Sequence, residues 1–261
     1  MIFCIDIGNT NIKYAVFDGK ELKATFRVTS QRNATSDEYG VTVRDLLKSA
    51  NIEKTEIDGV IMSSVIPSLN YTMEHMCRDY LGITPLVIGP GVKTGLNIKT
   101  DNPREVGADI IADCVGAVKR YGKGTPIVCI DFGTATTFDI ISEKSELVGV
   151  VIAPGIKTAL DSLVTETANL PRIELESPPS VIAKNTVNCM QAGIIYGFSG
   201  LIDGIIGRIK TELRRDDTKV IATGGMGKII YKETKSIDVF DRTLTLEGLR
   251  TIYELNKDVN K

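Results

Sequence analysis

Apolar residues in this chain fall into short runs separated by amphipathic stretches, the spacing of strands that alternate with helices. Residues 2–5 form the first run, long enough for one buried strand, and residues 12–17 read as its return. Glu21 to Val28 adds a further strand. Ser36-Asp37-Glu38 caps a helix through Leu46-Leu47, and Asp58 to Ser64 supplies a buried strand. Pro67-Ser68 starts a helix to about Tyr80; Pro85 to Ile88 is a short strand before the turn Gly89-Pro90-Gly91. Asn102-Pro103-Arg104-Glu105 has the cap, first-turn proline and back-reaching glutamate of a helix start. Val106, Ile110, Ile111, Cys114, Val115 and Val118 mark the buried side of that helix. Glu105, Asp109 and Asp113 recur four apart on the other, so periodicity makes Asp109 a solvated carboxylate.

The second half continues the alternation. Strands are expected before Asp131, over Thr136 to Ile141 and over Leu147 to Ile152, followed by the turn Ala153-Pro154-Gly155. A helix follows from about Ile156 to Leu163, then an irregular segment, 171–187, broken by Pro171, Pro178 and Pro179. Asn188 to Leu213 has helical periodicity despite its glycines. Val220 to Thr223 is a strand running into Gly224-Gly225, a turn suited to lying against a flat ring or sugar, and Leu246 to Leu255 closes the chain as a helix.

One segment occurs twice. Cys4-Ile5-Asp6-Ile7-Gly8-Asn9-Thr10 returns as Cys129-Ile130-Asp131-Phe132-Gly133-Thr134-Ala135, each copy ending an apolar run and preceding a return strand. A repeat nearly half the chain apart predicts two similar domains, each opening with the same hairpin and facing each other across a cleft. Tyr121 to Thr125 marks the boundary, giving domains over 1–121 and 122–261.

Composition removes several functions. With 261 residues, the chain has room for one large or two medium domains. A net charge of −2 offers no electrostatic footprint for nucleic acid or an anionic membrane surface. The longest apolar runs are far short of a membrane span, and the sequence begins in a core strand, not a signal peptide. The five cysteines show no paired spacing and read as reduced core thiols, placing the protein in the cytoplasm. His75 is the only histidine and reads as a surface or packing residue, which nearly excludes Ser-His and Cys-His nucleophiles and histidine-based zinc sites.

What remains is the chemistry of the hairpins. A carboxylate at a strand end, such as Asp6, can hold a hydrated cation. The Gly8-Asn9-Thr10 turn behind it offers backbone N–H groups, an amide and a hydroxyl, with Gly8 permitting close approach. That set suits a polyphosphate and its magnesium ion, although an ordinary hairpin with Asx-type turn chemistry has the same residues.

Over nearly its whole length the sequence resembles the type III pantothenate kinases, within the sugar kinase, heat-shock and actin superfamily. Seven blocks in order carry the resemblance: 6–10, 89–95, 102–109, 131–139, 184–187, 222–225 and 244–249. It implies an α/β fold of two similar actin-like (ribonuclease H-like) domains facing across a nucleotide cleft. It also implies ATP-dependent phosphorylation of pantothenate to 4′-phosphopantothenate, the first step of coenzyme A synthesis. Asp6, Gly8, Asn9, Thr10, Asn11 and Lys13 would wrap the ATP phosphates, with Asp6 near the magnesium ion and Thr134 binding phosphate from the second hairpin. Asp131 would help hold the potassium or ammonium ion. Asp109 would be the general base that accepts the proton of the pantothenate hydroxyl, in a substrate site with Gly107, Ala108, Ile110 and Thr186. The resemblance also implies a homodimer with the substrate pocket near the subunit interface.

Three positions depart from the family pattern. Ile110 stands where arginine is usual, Thr100 where tyrosine is frequent, and Asp113 where asparagine is common. Ile110 and Thr100 lie on the acceptor side, and Asp113 adds negative charge on the Asp109 side of the helix. Isoleucine cannot replace the charge-assisted bond an arginine offers to a carboxylate such as pantothenate's. A kinase of this fold acting on another small hydroxylated acceptor is therefore the second reading. A non-catalytic transcriptional accessory protein is the third, and the retention of Asp6, Asp109, Asp131 and Thr134 argues against it.

Overall fold

In the computed structural model, which describes residues 1–122 and 124–257, the first hairpin is β1 (Ile2–Ile7) and β2 (Asn11–Asp18). The chain continues through β3 (Glu21–Thr29), α1 (Ser36–Ser49), β4 (Gly59–Ser64), α2 (Pro67–Met76), β5 (Leu86–Val87), β6 (Asn97–Ile98) and α3 (Ala108–Tyr121). The second hairpin is β7 (Ile127–Phe132) and β8 (Ala135–Ile141). After it come β9 (Glu146–Pro154), α4 (Ile156–Glu166), α5 (Thr186–Leu213), β10 (Lys219–Gly224), α6 (Gly227–Tyr231), β11 (Val239–Phe240) and α7 (Leu244–Asn256). Lys123, inside the expected boundary at 121–125, and residues 258–261 lie outside the described residues.

The chain divides into two compact units. The first contains Met1–Leu96, Asp101–Lys119 and the stretch from Leu244; the second contains Asn97–Thr100 and Arg120–Thr243. The sequence expectation put Leu246–Leu255 with the second half, and the structure corrects it. Helix α7 is buried from Leu244 to Ile252, and its partners are β1, β4 and α3 of the first unit.

In the first unit the sheet runs β3-β2-β1-β4-β5, with β1 antiparallel to β2 and parallel to β4. Period-two alternation divides its residues between two faces. Phe3, Ile5, Ile7, Ile12, Tyr14, Val16, Val60 and Met62 pack with α1 and α2 in one core. Ile2, Cys4 and Asp6 face the other way with Phe17, Ala15 and Lys13 across β2, and with Gly59, Ile61 and Ser63 across β4. On that second face the Arg250 guanidinium carbon lies 5.8 Å from the Phe17 ring centroid, and the Arg250 charge reaches Cys4, whose thiol burial pushes up. Ion pairs from Arg250 to Glu247 and Glu254, 2.5 Å each, neutralise this buried cation.

The second unit repeats that plan. Its sheet runs β11-β10-β7-β8-β9-β6, which is the order of the first sheet with the edge strand β6 added. Even the irregularities match: the register shift falls between Val16 and Phe17 in β2 and between Ile140 and Ile141 in β8. Aligning Asp6 with Asp131 puts the two shifts at equivalent places, because the second hairpin turn is one residue shorter. The expected internal repeat is thus a repeat of topology. Val128, Ile130, Phe132, Phe138 and Ile140 pack with α4, α5 and α6 in the second core.

Other expectations fare differently. Pro103–Glu105 is an isolated 3-10 turn with no side-chain cap from Asn102, and the helix begins only at Ala108, because Val106 is extended and Gly107 interrupts. Asp113, placed by periodicity on a solvated side, is 2% exposed: α3 is buried continuously from Ile111 to Ala117, so it has no polar side at that level. Four cysteines are buried as expected, but Cys189 is exposed. Helix α5 is long and apolar enough, by length and composition, to cross a membrane, which the short uninterrupted runs did not show; half of its apolar window is buried inside the protein. His75 lies against the exposed Tyr71 ring, with 3.9 Å between centroids and a tilt of 32°, a surface packing contact.

Candidate active site

Asp6 ends β1 at the centre of the first sheet, 5% exposed. The strand register places Lys13 beside it on β2 and Ser63 beside it on β4. The Ser63 hydroxyl donates to Asp6 Oδ1 at 2.8 Å, and Lys13 Nζ lies 3.3 Å from Oδ2. Beyond Asp6 the turn closes through a hydrogen bond from the Gly8 N–H to the Asn11 carbonyl, 3.1 Å. A Cβ at Gly8 would stand 3.0 Å from that carbonyl, so the tight turn needs glycine. The segment after β3 braces the turn from behind. Ser30 donates its hydroxyl to the Gly8 carbonyl at 2.6 Å and its N–H to the Thr10 carbonyl at 3.0 Å, and Arg32 donates to Asn9 Oδ1 at 3.3 Å. Asn9 and Thr10 themselves are exposed.

Asp109 stands in the first turn of α3, half-buried. Its Oδ1 accepts from the Ile110 N–H at 2.9 Å, and the helix N-terminus favours a carboxylate there. Gly107 makes room: a Cβ at that position would stand 3.6 Å from Asp109 Cγ and closer still to Oδ1. Burial pushes the Asp109 carboxyl above the usual carboxylate range. The Ile110 N–H opposes that shift, the Asp6 charge adds to it, and the Lys13 ammonium pulls it back. Asp6, Lys13 and Asp109 therefore share one electrostatic neighbourhood within the first unit, and the solvated Asp109 that periodicity predicted is not what the fold makes.

In the second unit Asp131 ends β7 as Asp6 ends β1, with Thr137 and Thr223 as its register neighbours. Two glycines enclose it. A Cβ at Gly133 would stand 3.1 Å from Asp131 Oδ2, and one at Gly224 would stand 2.5 Å from Oδ1. Gly224, the first glycine of the expected Gly-Gly turn, has φ +94°, so both its conformation and its surroundings demand glycine. Thr134 is exposed at the tip of the hairpin; its carbonyl accepts from the Gly155 N–H at 3.1 Å and from the Thr158 hydroxyl at 2.7 Å. Thr186 is exposed in the first turn of α5, whose cap is Asn185 accepting from the Asn188 N–H at 2.9 Å.

The sequence profile described as type III pantothenate kinase matches residues 2–208. The chain is also 47% identical over 258 residues to the type III pantothenate kinase of Geobacillus sp. (strain WCH70), covering 99% of each. This chain belongs to the type III pantothenate kinase family.

Solved structures that resemble this type III pantothenate kinase family member speak to its fold. A conserved Campylobacter jejuni protein named as a candidate Baf family transcriptional activator superposes with a TM-score of 0.60 at 19% identity, over 98% of this chain and 99% of that one. Component A of the Acidaminococcus fermentans (R)-2-hydroxyglutaryl-CoA dehydratase gives 0.51 at 13% identity over the full length of both. The fold is the α/β actin-like one, with two sheets of the same topology.

Sequence reasoning missed four supports of the hairpins. Ser63 was only a strand end, and Ser30, Arg32 and Thr158 carried no motif. Pairing Ser63 with Asp6 requires knowing that β4 lies parallel to β1 in this register, which no local pattern encodes. Ile110, where the resemblance leads to an expectation of arginine, is half-buried next to Asp109 in the chain and presents no charge.

Proposed function

We propose that Asp109 is the base in a phosphoryl transfer from ATP to the hydroxyl of pantothenate, with Asp6, Lys13 and the two hairpin turns holding the triphosphate. The family reaction is the ATP-dependent phosphorylation of pantothenate to 4′-phosphopantothenate, the first step towards coenzyme A, and this chain is that kinase. The observation that carries the residue assignment is the half-buried Asp109, its carboxyl raised by burial and lying within reach of the Asp6 and Lys13 charges. Transfer of this kind asks the protein for alignment and charge neutralisation more than for covalent chemistry. A base also works best when its pKa lies nearer the working pH than an ordinary aspartate's.

The residues suit the groups that the reaction needs. The buried Asp6 carboxylate is an oxygen donor that matches a hard divalent cation such as magnesium, which supplies charge neutralisation on the phosphates when bound, and Lys13, 3.3 Å away, brings a second positive charge. Gly8, Asn9, Thr10 and Asn11 offer a braced turn to the phosphates, and Thr134 offers a second. Asp131, enclosed by Gly133 and Gly224, suits a larger and less strongly hydrated cation, potassium or ammonium. Gly107, Ala108, Ile110 and Thr186 complete the reading as acceptor contacts. The homodimer is supported by exposed apolar side chains in the second unit, Val181, Ile182 and Val187, near a groove of about 540 Å³. A cytoplasmic setting is supported by five thiols with no disulfide among the described residues.

The test is ATP consumption with pantothenate, with and without potassium, on the wild type and on Asp109→Asn. Turnover that needs potassium and falls about 10²–10⁴-fold in the variant supports the assignment. Undiminished turnover in Asp109→Asn overturns it, and turnover only with other hydroxylated acceptors moves the assignment to a different substrate, as the uncharged Ile110 would then explain.

A further inference from the structure

Two of the seven blocks that carry the family resemblance, 89–95 and 244–249, have no assigned role, and both end at α7. Asn256 pairs with the backbone of Lys93 in both directions: its Nδ2 donates to the Lys93 carbonyl at 2.8 Å, and its Oδ1 accepts from the Lys93 N–H at 3.0 Å. At its other end α7 meets α3. A Cβ at Gly248 would stand 2.6 Å from the Ala112 carbonyl carbon and closer still to its oxygen. A Cβ at Gly116 would stand 3.2 Å from the Gly248 nitrogen and closer still to the Leu244 carbonyl oxygen. Glycine inside a helix costs about 0.5–1 kcal/mol relative to alanine, so two of them at one crossing mark a backbone-to-backbone approach. On its far side α7 rests on the sheet through Arg250 over Phe17 and Tyr253 against Gly59. That is the face carrying Asp6, Lys13 and Ser63.

The stack therefore runs sheet, α7, α3, and Asp109 rides on α3 one turn before Ala112. We propose that Gly116 and Gly248 are positioning residues of the transfer: their crossing sets the distance between Asp109 on α3 and Asp6 at the end of β1. This rests on Asp109 being the base. Neither glycine touches substrate; each acts through the helix it belongs to.

Three variants test it: Gly116→Ala, Gly248→Ala and Phe17→Leu, the last lowering the seat of α7 with no clash and so expected to fold. Leu69→Val, in the core on the opposite face, serves as a control for lost stability alone. In folded variants kcat falls roughly tenfold to a hundredfold, the scale of an ångström of misplacement. The thermal shift given by magnesium-ATP persists, and the acid limb of the kcat profile moves to lower pH as Asp109 leaves its buried place near Asp6. Leu69→Val moves neither. The inference is overturned if the glycine variants fold and keep both kcat and the acid limb, or if they are insoluble and Phe17→Leu behaves like Leu69→Val. Asp109→Asn run in parallel separates the two ideas: an active Asp109→Asn sinks the base assignment itself, whereas an inactive one with unaffected glycine variants sinks only the positioning role.

Discussion

Asp109 and Asp6 carry like charges into one neighbourhood, and the fold answers them with Lys13, Ser63 and the Ile110 N–H. For Asp109 the answer is incomplete, since burial holds its carboxyl above the usual range. The folded state thus binds a proton at Asp109 more tightly than the unfolded chain does. Its contribution to stability is fully present below the unfolded pKa and is lost as pH rises through the folded one. Asp109→Asn should therefore unfold at a higher temperature than the wild type at pH 7, with the gap closing as the pH falls through the carboxylate range; thermal melts across that range would check this. Asp6 depends on the hydrogen bond that Ser63 donates. Removing the Ser63 hydroxyl from a buried, charged acceptor should cost about 1.5–3 kcal/mol in urea unfolding. On the acceptor side, restoring the charge that Ile110 lacks should lower the Michaelis constant for pantothenate by about one to two decades in Ile110→Arg, for a contact of about 1.5–3 kcal/mol. A constant that stays the same or rises would show that the acceptor carboxylate is bound elsewhere.

Among the elements, the hairpins were legible because their signals are local: an apolar run, an aspartate, a glycine turn and a return strand, stated twice. The helix bearing Asp109 was legible only in part. Asn102-Pro103-Arg104-Glu105 has every residue of a helix start, yet the chain makes a 3-10 turn there and begins again at Ala108. Periodicity also failed on α3, because it assumes one wet side, and a helix covered by α7 has none from Ile111 to Ala117. Two-residue strands such as β6 and β11 leave no pattern at all. At the end of β10, glycine is required twice over. Gly224→Ala would combine a φ of +94° with a Cβ 2.6 Å from the Phe132 backbone nitrogen. The strained conformation alone costs on the order of 1–3 kcal/mol. Because the same Cβ would press on Asp131 Oδ1, the proposed role of Asp131 in holding potassium or ammonium predicts that the variant also needs more of that cation, read as turnover against potassium concentration.

For the whole molecule, the sequence repeat implied two consecutive halves, and the structure shows two units of which the first is closed by the last helix. The reason the sequence hid this is that α7 is amphipathic enough to suit either unit; its destination is fixed by Gly116, Gly248, Phe17 and Gly59, which lie far apart along the chain. A fragment ending at residue 119 should therefore lack cooperative unfolding, with one face of its sheet bare, and a peptide spanning 244–257 should restore it. A fragment over 120–243, which contains the entire second core, should unfold cooperatively by itself. Circular dichroism with urea titration on the three samples decides the point.

The placement of α7 also bears on how the protein is made. Its first strand leaves the ribosome long before the helix that covers it, with residues 8–243 to be translated in between, on the order of tens of seconds of synthesis. Throughout that interval the nascent first sheet exposes Cys4, Ile61 and Phe17 to whatever else is in the cell, and the whole second unit is translated before the helix that covers them. The segment that ripens last is thus the one that begins first, and chaperone dependence during translation should concentrate on the N-terminal third.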